Sequence, residues 1–89
     1  MNRKLSLDVF EKYLLERNYR PSTSYDYAKT RVPKICEKEE ISVEKLADNI
    51  RHYVEKYGVG GSEQEFGKKS HSSYICALKR FEEFIGSKI

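Results

Sequence analysis

The stretch Ser70-His71-Ser72-Ser73-Tyr74-Ile75-Cys76-Ala77-Leu78-Lys79-Arg80-Phe81-Glu82-Glu83-Phe84-Ile85 decides the fold class. Tyr74, Ala77, Leu78, Phe81 and Ile85 recur at the spacing that places side chains on one face of an α-helix. The opposite face carries Lys69, Ser72, Ser73, Cys76, Lys79 and Arg80, with no acid before Glu82 and Glu83. A solvated helix face usually mixes both signs along its length. This one joins small hydroxyls to cations; small side chains let a helix lie close against a surface, and cations suit a surface lined with phosphates. Ser70 reads as the cap of this helix and Gly86 as its end, giving a segment over residues 70–85.

Working outward, three more helices precede it. The first spans residues 6–17, with Ser6 as N-cap, Asp8 in the first turn, and Leu7, Phe10, Tyr13 and Leu14 facing the core. Pro21 is expected to end it by disfavouring helical geometry at Arg20. The second spans residues 22–38 from a cap at Ser22, with Tyr25, Ala28, Val32, Ile35 and Cys36 as its apolar stripe. Pro33 lies inside it and predicts a kink or a break between Lys29 and Pro33, because proline removes a backbone donor and crowds the preceding turn. The third spans residues 42–57, capped by Ser42 and stopped by Gly58, with Val43, Leu46, Ile50, Tyr53, Val54 and Tyr57 inward. The glycine-rich stretch 58–69 reads as a flexible loop, with Phe66 tucked against the bundle. No alternating strand pattern competes, so the fold class is all-α: a small four-helix bundle with Phe10, Leu14, Val32, Ile35, Leu46, Ile50, Val54, Leu78 and Phe81 as core.

Bulk properties agree. The 89 residues suffice for one domain, with 35% charged and 38% hydrophobic residues and a mean hydropathy of -0.76. No apolar run is long enough for a membrane helix, and no apolar stretch follows the basic Met1-Asn2-Arg3-Lys4, so neither a membrane partner nor a signal peptide is expected and the location is read as cytoplasmic. Net charge is +3, and its distribution says more than its size. The second segment sets Lys29, Arg31, Lys34 and Lys38 against Asp26 and Glu37. The third is acidic, with Glu39, Glu40, Glu44, Asp48 and Glu55 against Lys45, Arg51 and Lys56. Phosphate would be drawn to the former and repelled by the latter. Cys36 and Cys76 have no close-spaced partner, and neither have His52 and His71, so the sequence implies no zinc site, no disulfide framework and no cofactor. There is no nucleophile motif, and Gly58-Val59-Gly60-Gly61 follows a helix rather than a strand, the wrong setting for a phosphate loop.

The stretches Leu7-Asp8-Val9-Phe10-Glu11-Lys12-Tyr13-Leu14 and Tyr19-Arg20-Pro21-Ser22-Thr23-Ser24-Tyr25-Asp26-Tyr27, with Thr23 and Tyr27 four apart, resemble the opening of the core-binding, SAM-like domain of tyrosine recombinases and phage integrases. Ala77-Leu78-Lys79-Arg80-Phe81 and Phe84-Ile85 resemble that family's last helix. Pro33, inside the second helix, and the long glycine-rich loop depart from the family's pattern. The resemblance implies a domain that clamps duplex DNA through its second and fourth helices during integration or recombination. A separate catalytic domain of the same recombinase would then be its partner. Neither His52 nor His71 begins a His-x-x-Arg motif, and a tyrosine phenol near its usual pKa of about 10 needs cations to act as a nucleophile, so the chain is read as non-catalytic. The implied DNA contacts are Arg20, Ser22, Ser24, Lys29 and Arg31 on the second helix. On and before the fourth they are Lys68, Lys69, Ser70, Ser72, Ser73, Lys79 and Arg80. The competing expectation is a helical protein–protein interaction module using the acidic third helix and the tyrosines, a residue type enriched at interfaces.

Overall fold

The computed structural model describes residues 6–87; the basic stretch Met1–Lys4 lies outside them. Helix α1 is Leu7–Glu16, α2 Pro21–Tyr25, α3 Val32–Glu39, α4 Val43–Asp48, α5 Ile50–Tyr57, α6 Gln64–Gly67 and α7 Lys69–Ser87. A π-helical turn, Asp26–Arg31, joins α2 to α3 without a break, so residues 21–39 form one continuous helical rod. The described residues contain no strand and make an all-α bundle.

The caps explain most boundaries. Ser6 Oγ accepts from the Asp8 N–H at 3.1 Å, and Ser42 Oγ from the Lys45 N–H at 3.1 Å, each satisfying a donor the helix start leaves open. Helix α1 ends at Asn18 rather than through Pro21. Asn18 sits at φ 70°, Tyr19 N–H bonds the Leu14 carbonyl at 3.1 Å, and Asn18 N–H bonds that of Leu15 at 3.0 Å. This is a left-handed helix stop, for which asparagine is one of the few suitable residues. Pro21 instead opens α2 at a position where its missing N–H costs nothing. The single helix expected over 42–57 divides at Asn49, which adopts φ -121°, ψ 29° between α4 and α5.

The rod corrects the expected kink. Pro33 is accommodated by widening the turn before it: the Val32 N–H bonds the Tyr27 carbonyl, five residues back. The widened turn takes up extra chain and rotates everything before it. Ser24, Ala28 and Val32 therefore line up on the buried face, whereas Tyr25, expected inward, is 58% exposed. Ser24, expected at the surface, is 0% exposed.

All nine residues read as core are buried. Phe10 on α1 meets Phe81 on α7 edge-on at 5.1 Å and Phe84 at 5.3 Å, closing the first helix against the last. Such pairs add about 0.5–1.5 kcal/mol beyond the area they bury. The glycine-rich stretch is more structured than a loop. It contains α6, and Phe66 packs on Tyr74 at 4.6 Å and Tyr57 at 5.8 Å. Gly67 permits this seating, because a Cβ there would overlap the Tyr57 carbonyl.

Helix α7 begins later than the sequence suggests. Ser70, His71 and Ser72 form a left-handed turn at φ 54°, 60° and 65°, and right-handed helix starts only at Ser73. Ser70 is thus not a helix cap, and the helix passes through Gly86 to Ser87.

Candidate nucleic-acid interface

The last helix and the rod lie antiparallel, and three side-chain contacts fix the register. At one end Arg31 Nη1 donates to Ser70 Oγ at 3.3 Å, and its guanidinium stands 4.9 Å over the Tyr74 ring. In the middle, Tyr27 lies half-buried beside Cys76, and burial first, with the neighbouring thiol, raises its phenol pKa. At the other end Arg80 Nη1 donates to the Tyr19 hydroxyl at 3.3 Å. Tyr27 is thus brought inward by the same π turn that exposes Tyr25, and its ring meets Tyr19 at 6.4 Å. The right-handed helix from Ser73 to Arg80 is about 10 Å long at 1.5 Å per residue.

The predicted contact residues divide into three groups. Arg31 and Arg80 belong to the seam. Arg31 Nε pairs with Asp26 Oδ2 at 2.8 Å, and Arg80 Nη2 with Glu83 Oε2 at 2.8 Å. Burial works against the Arg80 charge, but Tyr19 and Glu83 outweigh it and hold the guanidinium cationic. Both arginines therefore fasten α7 to the rod and have part of their hydrogen-bonding capacity already used.

A second group is directed elsewhere. Lys29 is ion-paired to Asp8 on α1, and that hydrogen bond raises its pKa. Ser24 is inside the bundle with no hydrogen-bond partner for its hydroxyl, and no duplex laid on the surface could touch it. Ser73 donates to the Ser70 carbonyl at 2.6 Å, closing the left-handed turn.

The third group is open. Arg20 and Ser22 are exposed at the start of the rod, beside the Tyr19–Arg80 contact. Lys68 and Lys69 are exposed at the opposite end, before Ser70. Lys69 stands 5.4 Å from the Phe66 ring, and the nearest carboxylate to Lys68 is that of the exposed Glu65, at 3.9 Å. Lys79 is exposed at the Arg80 end and has no acidic partner among the described residues. Half-buried Ser72 lines the same cleft as Cys76. Meanwhile Asp26 is matched by Arg31, Glu83 by Arg80, and Glu82 by Arg51 at 3.3 Å. Exposed Glu37 on the rod has no cationic partner among the described residues, but with Arg20, Lys34, Lys69 and Lys79 also unpaired, the unmatched charge along the pair is net positive.

Sequence reasoning missed Tyr19 and Tyr27 as the residues that weld the pair. Their signal was present, since both are aromatic and Tyr27 lies four from Thr23, but a straight helix pointed Tyr27 away from the stripe. No family model, no characterised protein and no solved structure matches the chain. No described helix is long and apolar enough to cross a membrane.

Proposed function

We propose that this chain is a DNA-binding domain of the core-binding type found in tyrosine recombinases. It lays the rod and α7 across duplex DNA while a separate domain performs strand cleavage. The observation that carries the reading is the arrangement of charge on the helix pair. The acids Asp26, Glu82 and Glu83 are each matched, whereas Arg20 and Lys79 stand open at one end of the helix pair and Lys68 and Lys69 at the other. In this reading the cations at the two ends of the pair meet phosphates on the walls of the major groove, which is about 12 Å wide in B-form DNA. Phosphate contacts of this kind hold position without reading sequence. In this reading the domain binds and orients DNA and has no chemistry of its own.

The test is duplex binding by fluorescence anisotropy across a range of salt. Arg20→Glu and Lys79→Glu should each weaken binding and flatten the salt dependence, by roughly 0.9 in log–log slope for each phosphate that is no longer neutralised. Both residues are exposed and structurally unengaged, so the variants keep the fold. Lys34→Glu, beside Lys29 and Glu37 on the rod, is the control and should change little. Unaltered affinity and slope in the Arg20/Lys79 double variant would end the reading.

A further inference from the structure

We propose that the cleft between the end of α5, the turn after it and the outer side of α7 binds a small apolar molecule carrying one carboxylate. The cleft encloses about 500 Å³, within the range of about 300–1,000 Å³ typical of small-molecule sites. Val54, Tyr57 and Ile75 form its apolar lining, and Val59, Lys68 and Lys79 stand at its rim. Val59 is 97% exposed, a branched apolar side chain held in water at the mouth of the cleft. Gly58 lets the backbone lie low on the floor: a Cβ there would come within 2.8 Å of the Val54 carbonyl and 3.6 Å of Ile75 Cδ1.

Charge complementarity selects the occupant. Lys79 has no acidic partner among the described residues, and Lys68 has only a distant, exposed one. Glu55 is the one acid in the lining, so the rim is net positive over an apolar floor. An uncharged apolar ligand would use the floor and leave the lysines idle; a dianion would face Glu55. One carboxylate on an aliphatic or aromatic body satisfies both features. This inference goes beyond DNA binding and does not depend on it.

The protein carries a reporter. Cys76 lines the cleft and is half-buried. Cys36 is buried in the core, where desolvation pushes its thiol up to about 11, so it reacts slowly. Alkylation by iodoacetamide therefore reads Cys76. Naphthoate is the probe, titrated without DNA into isotope-labelled protein. The expected result is saturable amide shifts centred on Val59, Ile75, Cys76 and Lys79, with slowed alkylation of Cys76. The matching uncharged alcohol, naphthalenemethanol, should bind roughly threefold to fivefold more weakly, the scale of one exposed ion pair. Lys79→Gln should remove most of that difference. Absence of saturable shifts, shifts centred on another surface, or equal affinity for acid and alcohol would each overturn the assignment. None of these would bear on duplex binding, which is measured separately.

Discussion

The left-handed turn at Ser70–Ser72 makes a prediction whose sign separates it from an ordinary helix start. His71 sits at φ 60°, ψ 41°, is exposed, and makes no hydrogen bond, ion pair or ring contact among the described residues. Replacing it with glycine removes no interaction of the side chain. For an L-residue with a Cβ this conformation costs about 1–2 kcal/mol, which glycine does not suffer. Glycine loses more backbone freedom on folding, about 0.5–1 kcal/mol, so the net effect of His71→Gly is a gain of roughly 0.5–1 kcal/mol. In a domain of this size that raises Tm by about 2–8 °C. The measurement is thermal unfolding followed by far-UV circular dichroism. Were residues 70–72 right-handed helix, as a cap at Ser70 requires, the same substitution would lower Tm, because glycine is a poorer helix former than histidine. Lys34→Gly, in the right-handed part of the rod, supplies that contrast within one protein and should cost roughly 0.7 kcal/mol. A fall in Tm for His71→Gly comparable with that of Lys34→Gly would refute the left-handed turn.

Two further outcomes follow from buried polar groups. Ser24→Ala should leave stability unchanged or raise it by up to about 1 kcal/mol, since it deletes a buried hydroxyl without a partner and installs the better helix former. A lowered midpoint in urea unfolding would show that the hydroxyl is satisfied. At Glu39, burial disfavours the charge, but the Tyr57 hydroxyl at 2.5 Å and Lys56 Nζ at 3.0 Å outweigh it and hold the carboxyl below its ordinary value. A depressed folded-state pKa gives stability that is present above the unfolded value of about 4.3 and lost as pH falls through the folded one. Glu39→Gln should therefore cost on the order of 1 kcal/mol near neutral pH and flatten the decline below about pH 4.3. An undiminished acid decline in that variant would place its source elsewhere.

Helix content and the core were legible because they depend on short-range signals. The recurrence of Phe10, Leu14, Leu78 and Phe81, the serine caps at Ser6 and Ser42, and the stop at Gly58 each act within a turn or two of the chain. The face of the rod was not legible in the same way. Pro33 signalled a disturbance, but a kink and a widened turn satisfy the same missing donor, and they rotate the preceding residues differently. The widened turn puts Ser24 inside and Tyr25 outside, and no local preference favours burying a serine in place of a tyrosine; what decides it is the packing of Ala28 and Tyr27 against their neighbours. The left-handed turn was equally hidden. Its residues are not glycine, and it is held by the Arg31–Ser70 contact across 39 positions of sequence.

The cations show most clearly where sequence reading stops. Counting charges along the final segment gives Lys79 and Arg80 equal standing, yet they do different work. Arg80 lies against Tyr19 and Glu83 with its Nε enclosed and unpartnered, so reversing its charge would strand Glu83, break the seam and disturb the fold before it reported on any ligand. Lys79, one residue earlier, is unengaged and faces outward. A helix separates successive residues by about 100°, so a single step in sequence carries a cation from the packed seam to open surface. Loss of DNA binding on mutating Arg31 or Arg80 would accordingly be ambiguous, whereas weakened binding on mutating Arg20 or Lys79 would identify direct engagement of the duplex. The seam arginines set the shape of the helix pair, and Lys79 is left open to solvent.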